Sequence, residues 1–309
     1  MSKAKRKIEI MDTTLRDGEQ TNGVSFSASE KLTIAQILLN DLKVDRIEIA
    51  SARVSEGELD AVKKITAWAK QNNHLDRIEV LTFVDGDVSI KWMLGAGAKV
   101  MNLLTKGSLN HLTHQLRKKP AEHFNDIKNV FALATKKGIA CNVYLEDWSN
   151  GMRNSRDYVF EFIDFLYTQP VKRILLPDTL GILSPDETYD YISSIVNRYP
   201  DIHFDFHGHN DYDLGTANVL EAVKAGARGI HLTINGMGER AGNAPLASAI
   251  AVINDFLPDV TTNVAEKSLY SASKLVETFS GFRIGVNKPI VGENVFTQTA
   301  GIHADGAAV

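Results

Sequence analysis

His207-Gly208-His209-Asn210-Asp211 puts two imidazoles, a carboxamide and a carboxylate into five residues. The run leading into it, Ile202-His203-Phe204-Asp205-Phe206, alternates polar and apolar residues and reads as a β-strand. Side chains alternate across a strand, so His207 and His209 share a face at its end. Two imidazoles on one face, followed by Asn and Asp, suit a divalent metal. Two ordinary histidines at a strand end are the competing reading. The company that the motif keeps at other strand ends favours the metal.

Asp12-Thr13-Thr14-Leu15-Arg16-Asp17-Gly18-Glu19-Gln20 follows the first strand-like run and crowds three carboxylates, an Arg and a Gln together. Asp17 could give an oxygen ligand to a metal on His207 and His209, and Arg16 could stabilise a developing oxyanion. A solvated polar turn is the alternative. A third stretch, Asn235-Gly236-Met237-Gly238-Glu239-Arg240-Ala241-Gly242-Asn243, carries three glycines that let backbone approach a ligand. The helix start beyond it could bind an anion, and Asn243 offers a further carbonyl oxygen.

These stretches need a scaffold that brings distant strand ends together. Strand-like runs at 7–12, 44–50, 77–83, 98–104, 139–145, 172–177, 202–207 and 229–234 alternate with amphipathic helices. Ser27-Ala28-Ser29-Glu30 reads as a capping box, and Ser184-Pro185-Asp186-Glu187 opens another helix. Pro120 sits just inside a helix that Gly138 is placed to end, and Gly226 ends the helix after His209. Roughly eight βα units in about 250 residues predict a (β/α)8 TIM barrel over 1–258. A doubly wound open sheet shows the same alternation, but the first strand-to-helix turn lacks G-x-G-x-x-G. Barrel closure makes neighbours of the first, seventh and eighth strand ends. Residues 259–309 read as a linker holding one helix over 265–279, then a Gly-rich irregular segment that starts a further subdomain.

The chain has 309 residues, 44% apolar and 23% charged, with a net charge of -4. That balance gives no electrostatic surface for nucleic acid. The lone Cys141 excludes internal disulfides and fits a reducing compartment. The basic start, Lys3 to Lys7, runs into a strand-like alternation and not an apolar signal segment. No apolar run approaches the ~20 residues of a membrane helix. A cytoplasmic soluble protein is expected.

Taken together, Leu15-Arg16-Asp17-Gly18-Glu19-Gln20, His207-Gly208-His209-Asn210-Asp211 and Gly238-Glu239-Arg240-Ala241-Gly242-Asn243 resemble the DRE-TIM metallolyases. Pro177-Asp178-Thr179-Leu180-Gly181 and Gly301-Ile302-His303-Ala304-Asp305-Gly306 extend the likeness along almost the whole chain. The likeness is to the Claisen-condensing branch of 2-isopropylmalate, citramalate and homocitrate synthases. It implies Asp17, His207, His209 and Asn243 as ligands of Zn2+, Mg2+ or Mn2+. Arg16 would hold the carbonyl of a 2-oxo acid, and Thr179 its carboxylate. Glu146 would lie near the reacting carbons. His303 would take part in proton transfer, often in a partner subunit's site, which implies a homodimer. Gln20 and Arg240 would lie close to metal-bound water and acetyl-CoA. The implied activity is an acyltransferase of branched-chain amino acid biosynthesis, on the isoleucine or the leucine route. Relatives of this branch continue past residue 309 into a helical subdomain and often a regulatory domain.

The choice of 2-oxo acid rests on the residues facing its side chain. Leu81, Leu104 and Tyr144 end the third, fourth and fifth strands and point over the barrel mouth. In isopropylmalate synthases the position of Tyr144 is usually small. A bulky Tyr with two Leu shrinks the pocket toward a methyl group, so pyruvate and a citramalate product are expected. Isopropylmalate formation from 2-oxoisovalerate is the alternative. A lyase of the same superfamily is less favoured, because it would need a cysteine in a late loop and Cys141 lies in a strand. A metal-stabilised barrel without turnover would have no need of Arg16, Glu146, Thr179 or His303.

Overall fold

A computed structural model describes residues 5–295 and Thr297. His303 and the 301–306 motif lie outside the described residues. Eight parallel strands close into a barrel in chain order: β1 (Glu9–Asp12), β2 (Arg46–Ser51), β3 (Ile78–Phe83), β4 (Val100–Lys106), β5 (Ala140–Glu146), β6 (Val171–Asp178), β7 (Phe204–Gly208) and β8 (Gly229–Leu232). Closure is direct: Glu9, Ile10, Met11 and Asp12 pair with Gly229, Ile230, His231 and Leu232. The TIM barrel expected from the alternation is therefore the observed fold.

Local signals explain where the helices begin and end. Ser27 and Glu30 form the expected capping box, each side chain bonded to the other's backbone N–H. Ser184 and Glu187 repeat it at the helix Pro185–Arg198. Such caps satisfy N–H groups that a helix cannot bond internally, each worth about 1 kcal/mol. The helix Pro120–Lys136 has its proline in the first turn, and Gly138 follows at φ +66°. The last helix runs Leu269–Ser280 after a short 3-10 turn at Glu266–Ser268.

The expected first strand, 7–12, divides. Arg6–Lys7 leaves the barrel and pairs with Val260–Thr261. That small ribbon fastens the N-terminal segment to the chain that follows the helix Leu246–Phe256. At the other end, β4 and β5 run on to Lys106 and Glu146, which are register partners.

Apolar strand residues such as Ile10, Ile47, Val80 and Val143 join the helices in one large core. The barrel interior is different. Glu48, Glu79, Asn102, Asn142, Asp205 and His231 are at most 1% exposed. Arg46 binds Glu79 at 2.9 Å and also pairs with Asp205. Buried charges persist only when paired, and these pairs fill the barrel where branched aliphatics are usual. Crowding there also requires Gly229: a Cβ would sit 2.1 Å from Asp205 Oδ1.

Candidate metal centre and active site

β1, β7 and β8 deliver their C-terminal ends to one place, as closure requires. His207 Nε2 and His209 Nε2 are 3.4 Å apart, and Asp17 Oδ2 lies 3.3 and 3.8 Å from them. Asp17, His207 and His209 are all buried, and their donor atoms lie within 4.8 Å of one another. Asn243 joins through a backbone bridge to His209, its amide nitrogen donating to the Met237 carbonyl at 3.0 Å. The loop passes the ligand set closely at Gly238, φ +151°, where a Cβ would stand 2.2 Å from Asn243 Nδ2 and 3.2 Å from Asp17 Oδ1.

Whether this set fits a metal can be tested on its hydrogen bonds. Among the described residues, Asp17 Oδ1 and Asn243 Oδ1 are buried with no partner, while the Nε2 atoms of His207 and His209 face each other and Asp17 Oδ2. An orphaned buried polar atom costs about 1–3 kcal/mol, so two orphaned oxygens beside two facing imidazole nitrogens point to a missing partner. Burial lowers both imidazoles, His209 to about 4, which keeps their lone pairs available near neutral pH. Burial alone would raise the Asp17 carboxyl, but Arg16 beside it holds it well below the usual carboxylate range. Neutral nitrogens, an ionised carboxylate and a carboxamide oxygen, with no thiolate, fit Zn2+, Mg2+ or Mn2+.

Arg16 is held as a fork. Its Nε donates to Glu48 Oε2 at 2.6 Å and an Nη to Asp17 Oδ2 at 3.0 Å. Glu48 also accepts from Thr13 Oγ1 at 3.0 Å and from Asn102 Nδ2 at 2.7 Å. The Arg16 guanidinium lies 5.9 Å from the centre of the Tyr144 ring. A cavity of about 370 Å3 opens beside these groups, walled by Leu81, Phe83, Leu104 and Tyr144. Gln20, Glu146 and Thr179 also line it. Thr179 Oγ1 accepts from the Asp147 backbone N–H at 2.9 Å, which leaves its own hydrogen free to donate. Lys106 pairs with Glu146. A larger cavity, about 900 Å3, lies at the opposite mouth around Glu9, Arg46 and Arg173, away from the ligand set.

Other polar residues of the motifs serve the backbone. Asp12 accepts from the Thr14 N–H, and Glu19 accepts from the Phe26 N–H and pairs with Lys31. Asn210 accepts from Gly215 N–H. Arg240 is not in the cavity lining; its fork is taken by Asp211, at 2.8 and 3.0 Å, and by the Thr179 carbonyl. Glu48 and His231 belong to the site although neither stands in a loop motif. The readable signal for each was a charged or titratable residue inside a buried strand, where unpaired polar groups do not survive.

The family model described as HMGL-like matches residues 7–276. The chain belongs to the HMGL-like family. This HMGL-like chain is 36% identical over 301 residues to a putative (R)-citramalate synthase of Methanopyrus kandleri, covering 97% of this chain and 57% of that one. It is 36% identical over 310 residues to a probable 2-isopropylmalate synthase of Ignicoccus hospitalis, covering 97% and 73%. The chain thus spans little more than half of the first of these relatives. Among solved structures, an HMG-CoA lyase from Acinetobacter baumannii, in complex with coenzyme A and 3-methylmalate, superposes with a TM-score of 0.77. That match covers 97% of this chain and all of the lyase at 19% identity, which speaks for the fold alone. The resemblance to the DRE-TIM group and its synthase branch agrees with these relatives. No helix among the described residues is long and apolar enough to cross a membrane.

Proposed function

We propose that this chain is the catalytic barrel of a metal-dependent Claisen condensing enzyme, joining acetyl-CoA to pyruvate to give (R)-citramalate. The observation that carries the reading is the meeting of Asp17, His207 and His209 beside Arg16, at a cavity walled by Leu81, Leu104 and Tyr144. The citramalate and 2-isopropylmalate synthases among its relatives support the reaction class. Bound to Asp17, His207, His209 and Asn243, a divalent ion would act as Lewis acid toward the 2-oxo acid.

The chain's own groups do the rest. Arg16, locked by Glu48, is positioned to face negative charge growing on the ketone oxygen as the acetyl carbon attacks it. The Thr179 hydroxyl is free to donate to the substrate carboxylate. Removing a weakly acidic proton from the acetyl methyl needs a placed base, and Glu146 and His303 are the proposed proton carriers. Gln20 stands exposed at the cavity rim, where the acyl-CoA would enter. We place His303 in a second copy's site, so the proposed working unit is a homodimer, acting in the cytoplasm. Water then cleaves the thioester and free coenzyme A leaves.

The lyase alternative finds no support in Cys141. Its thiol is buried in β5 and burial pushes it up to about 12, so it is a poor acid or nucleophile. Isopropylmalate synthesis remains the second reading, favoured by relatives of that name. Incubating the full-length protein with acetyl-CoA, a divalent metal and pyruvate, then identifying the product by mass and chirality, tests the proposal. Formation of (R)-citramalate is expected; acetyl-CoA left intact would refute it.

A further inference from the structure

Tyr144 shapes the cavity through its ring, but its hydroxyl reaches the other way. The ring packs with Leu81 and Leu175. The hydroxyl lies 3.0 Å from His231 Nδ1 and 3.4 Å from Glu48 Oε2. His231 Nε2 in turn lies 3.0 Å from Asp205 Oδ2. None of these four side chains is more than 2% exposed.

Chemistry assigns the hydrogens. Burial alone would raise the Asp205 carboxyl, but Arg46 holds it well below the usual range, so it is ionised and only accepts. His231 Nε2 therefore carries the hydrogen and donates it to Asp205. In the neutral imidazole Nδ1 is then a lone pair, and the Tyr144 hydroxyl donates to it. The chain Asp205–His231–Tyr144 runs from the barrel interior to the cavity wall.

We infer that His231, oriented by Asp205, is a positioning residue that sets the tilt of the Tyr144 ring and so selects the 2-oxo acid side chain. The inference rests on the condensation reading above and deepens it. Apolar contact with Leu81 and Leu175 is non-directional, whereas a hydrogen bond fixes an angle. The ring's other neighbours make the tilt matter. Arg16 lies over one face, and the ring of the proposed metal ligand His207 meets Tyr144 edge-on at 83° and 5.9 Å. Without His231 Nδ1, the phenol has only Glu48 Oε2 left, which already accepts from Arg16 and Thr13. The ring would then turn toward Glu48 and change the space beside Leu81 and Leu104.

Two amides at position 231 separate this role from plain packing. His231→Gln puts an amide nitrogen near the place of Nε2, keeping the donor to Asp205 and removing the acceptor for Tyr144. His231→Asn puts an amide oxygen near the place of Nδ1 and keeps that acceptor. The readout is the ratio of kcat/KM for pyruvate to that for 2-oxoisovalerate, with calorimetric binding of both acids to the metal-loaded protein. Gln is expected to lower the ratio about tenfold, mainly through KM, while Asn stays within about twofold of the parent. Tyr144→Phe should lower the ratio as Gln does, and combining it with Gln should add nothing. Equal ratios for parent, Gln and Asn would overturn the inference, as would effects of Gln and Phe that multiply. If the position-231 variants do not fold, a parent-like ratio in Tyr144→Phe overturns it alone. A parent that binds both acids but never releases thiol would refute the condensation reading, and the binding ratios would still decide the role of His231.

Discussion

Arg16 and Glu48 form an ion pair 2.6 Å long whose carboxylate end is sealed from solvent. The pair joins the β1 loop to the interior of β2 and aims the guanidinium at the cavity. Lysine at position 16 would keep a charge but has no planar fork to reach Glu48 and Asp17 together. Arg16→Lys is expected to lower kcat about a hundredfold or more, the scale of losing one oxyanion donor. Near-normal turnover would remove Arg16 from the account.

Glu48 carries a second expectation, on stability. Glu48→Ala leaves Arg16 without its main partner and strands the Asn102 and Thr13 donors. Removing one member of a buried pair costs about 3–5 kcal/mol. Urea unfolding of the variant should give a loss in that range. A loss below about 1 kcal/mol, the median for a surface pair, would show that Glu48 is not the buried anchor described here.

The ligand set should be readable without any turnover. A metal bound at 100 times its Kd stabilises the fold by about 2.7 kcal/mol. Stripping it with a chelator should lower Tm by roughly 4 °C at this chain length. Asp17→Asn and His209→Ala should bind metal far more weakly and lose that response, as measured by elemental analysis and melting. Full metal content in both variants would place the ion elsewhere.

His123 gives an expectation for acid stability that is independent of the site. It is 1% exposed, accepts the Lys106 N–H at Nε2, and burial lowers it from 6.5 to about 4. A folded-state value below the unfolded one means that the unfolded chain takes up the proton first. The stability is therefore complete above pH 6.5 and is lost as pH falls toward 4, by about 3 kcal/mol. His123→Gln keeps an acceptor and cannot titrate. Between pH 7 and pH 4.5 it should lose about 2 kcal/mol less than the parent on urea unfolding. Equal losses would exclude His123 as a source of acid sensitivity.

The barrel was legible because strand-like runs alternate with amphipathic helices eight times over. The meeting of Asp17, His207 and His209 was legible because all three stand in polar clusters at strand ends. Glu48, Asp205 and His231 were harder. Each lies inside a strand, and only the folded barrel shows that Glu48 meets Arg16, His231 meets Tyr144 and Asp205 meets His231. The same clusters also overstate the site, since Asp12, Glu19 and Asn210 read like Asp17 but bond their own backbone. Arg6–Lys7 and Val260–Thr261 are too short to carry a period, and their pairing had no signal.

Free-thiol release from acetyl-CoA by the full-length protein, with pyruvate and with 2-oxoisovalerate, tests the central claim most directly. On the proposed reading, Tyr144 and Leu104 fill the space that a branched side chain needs, and overpacking a rigid site costs roughly 1–3 kcal/mol. Pyruvate should therefore win in kcat/KM by about ten- to a hundredfold, and Tyr144→Ser should reverse part of that preference. A parent enzyme that prefers 2-oxoisovalerate would contradict the pocket and leave 2-isopropylmalate synthesis as the function. Thiol release no faster with either acid than with none would contradict the condensation itself.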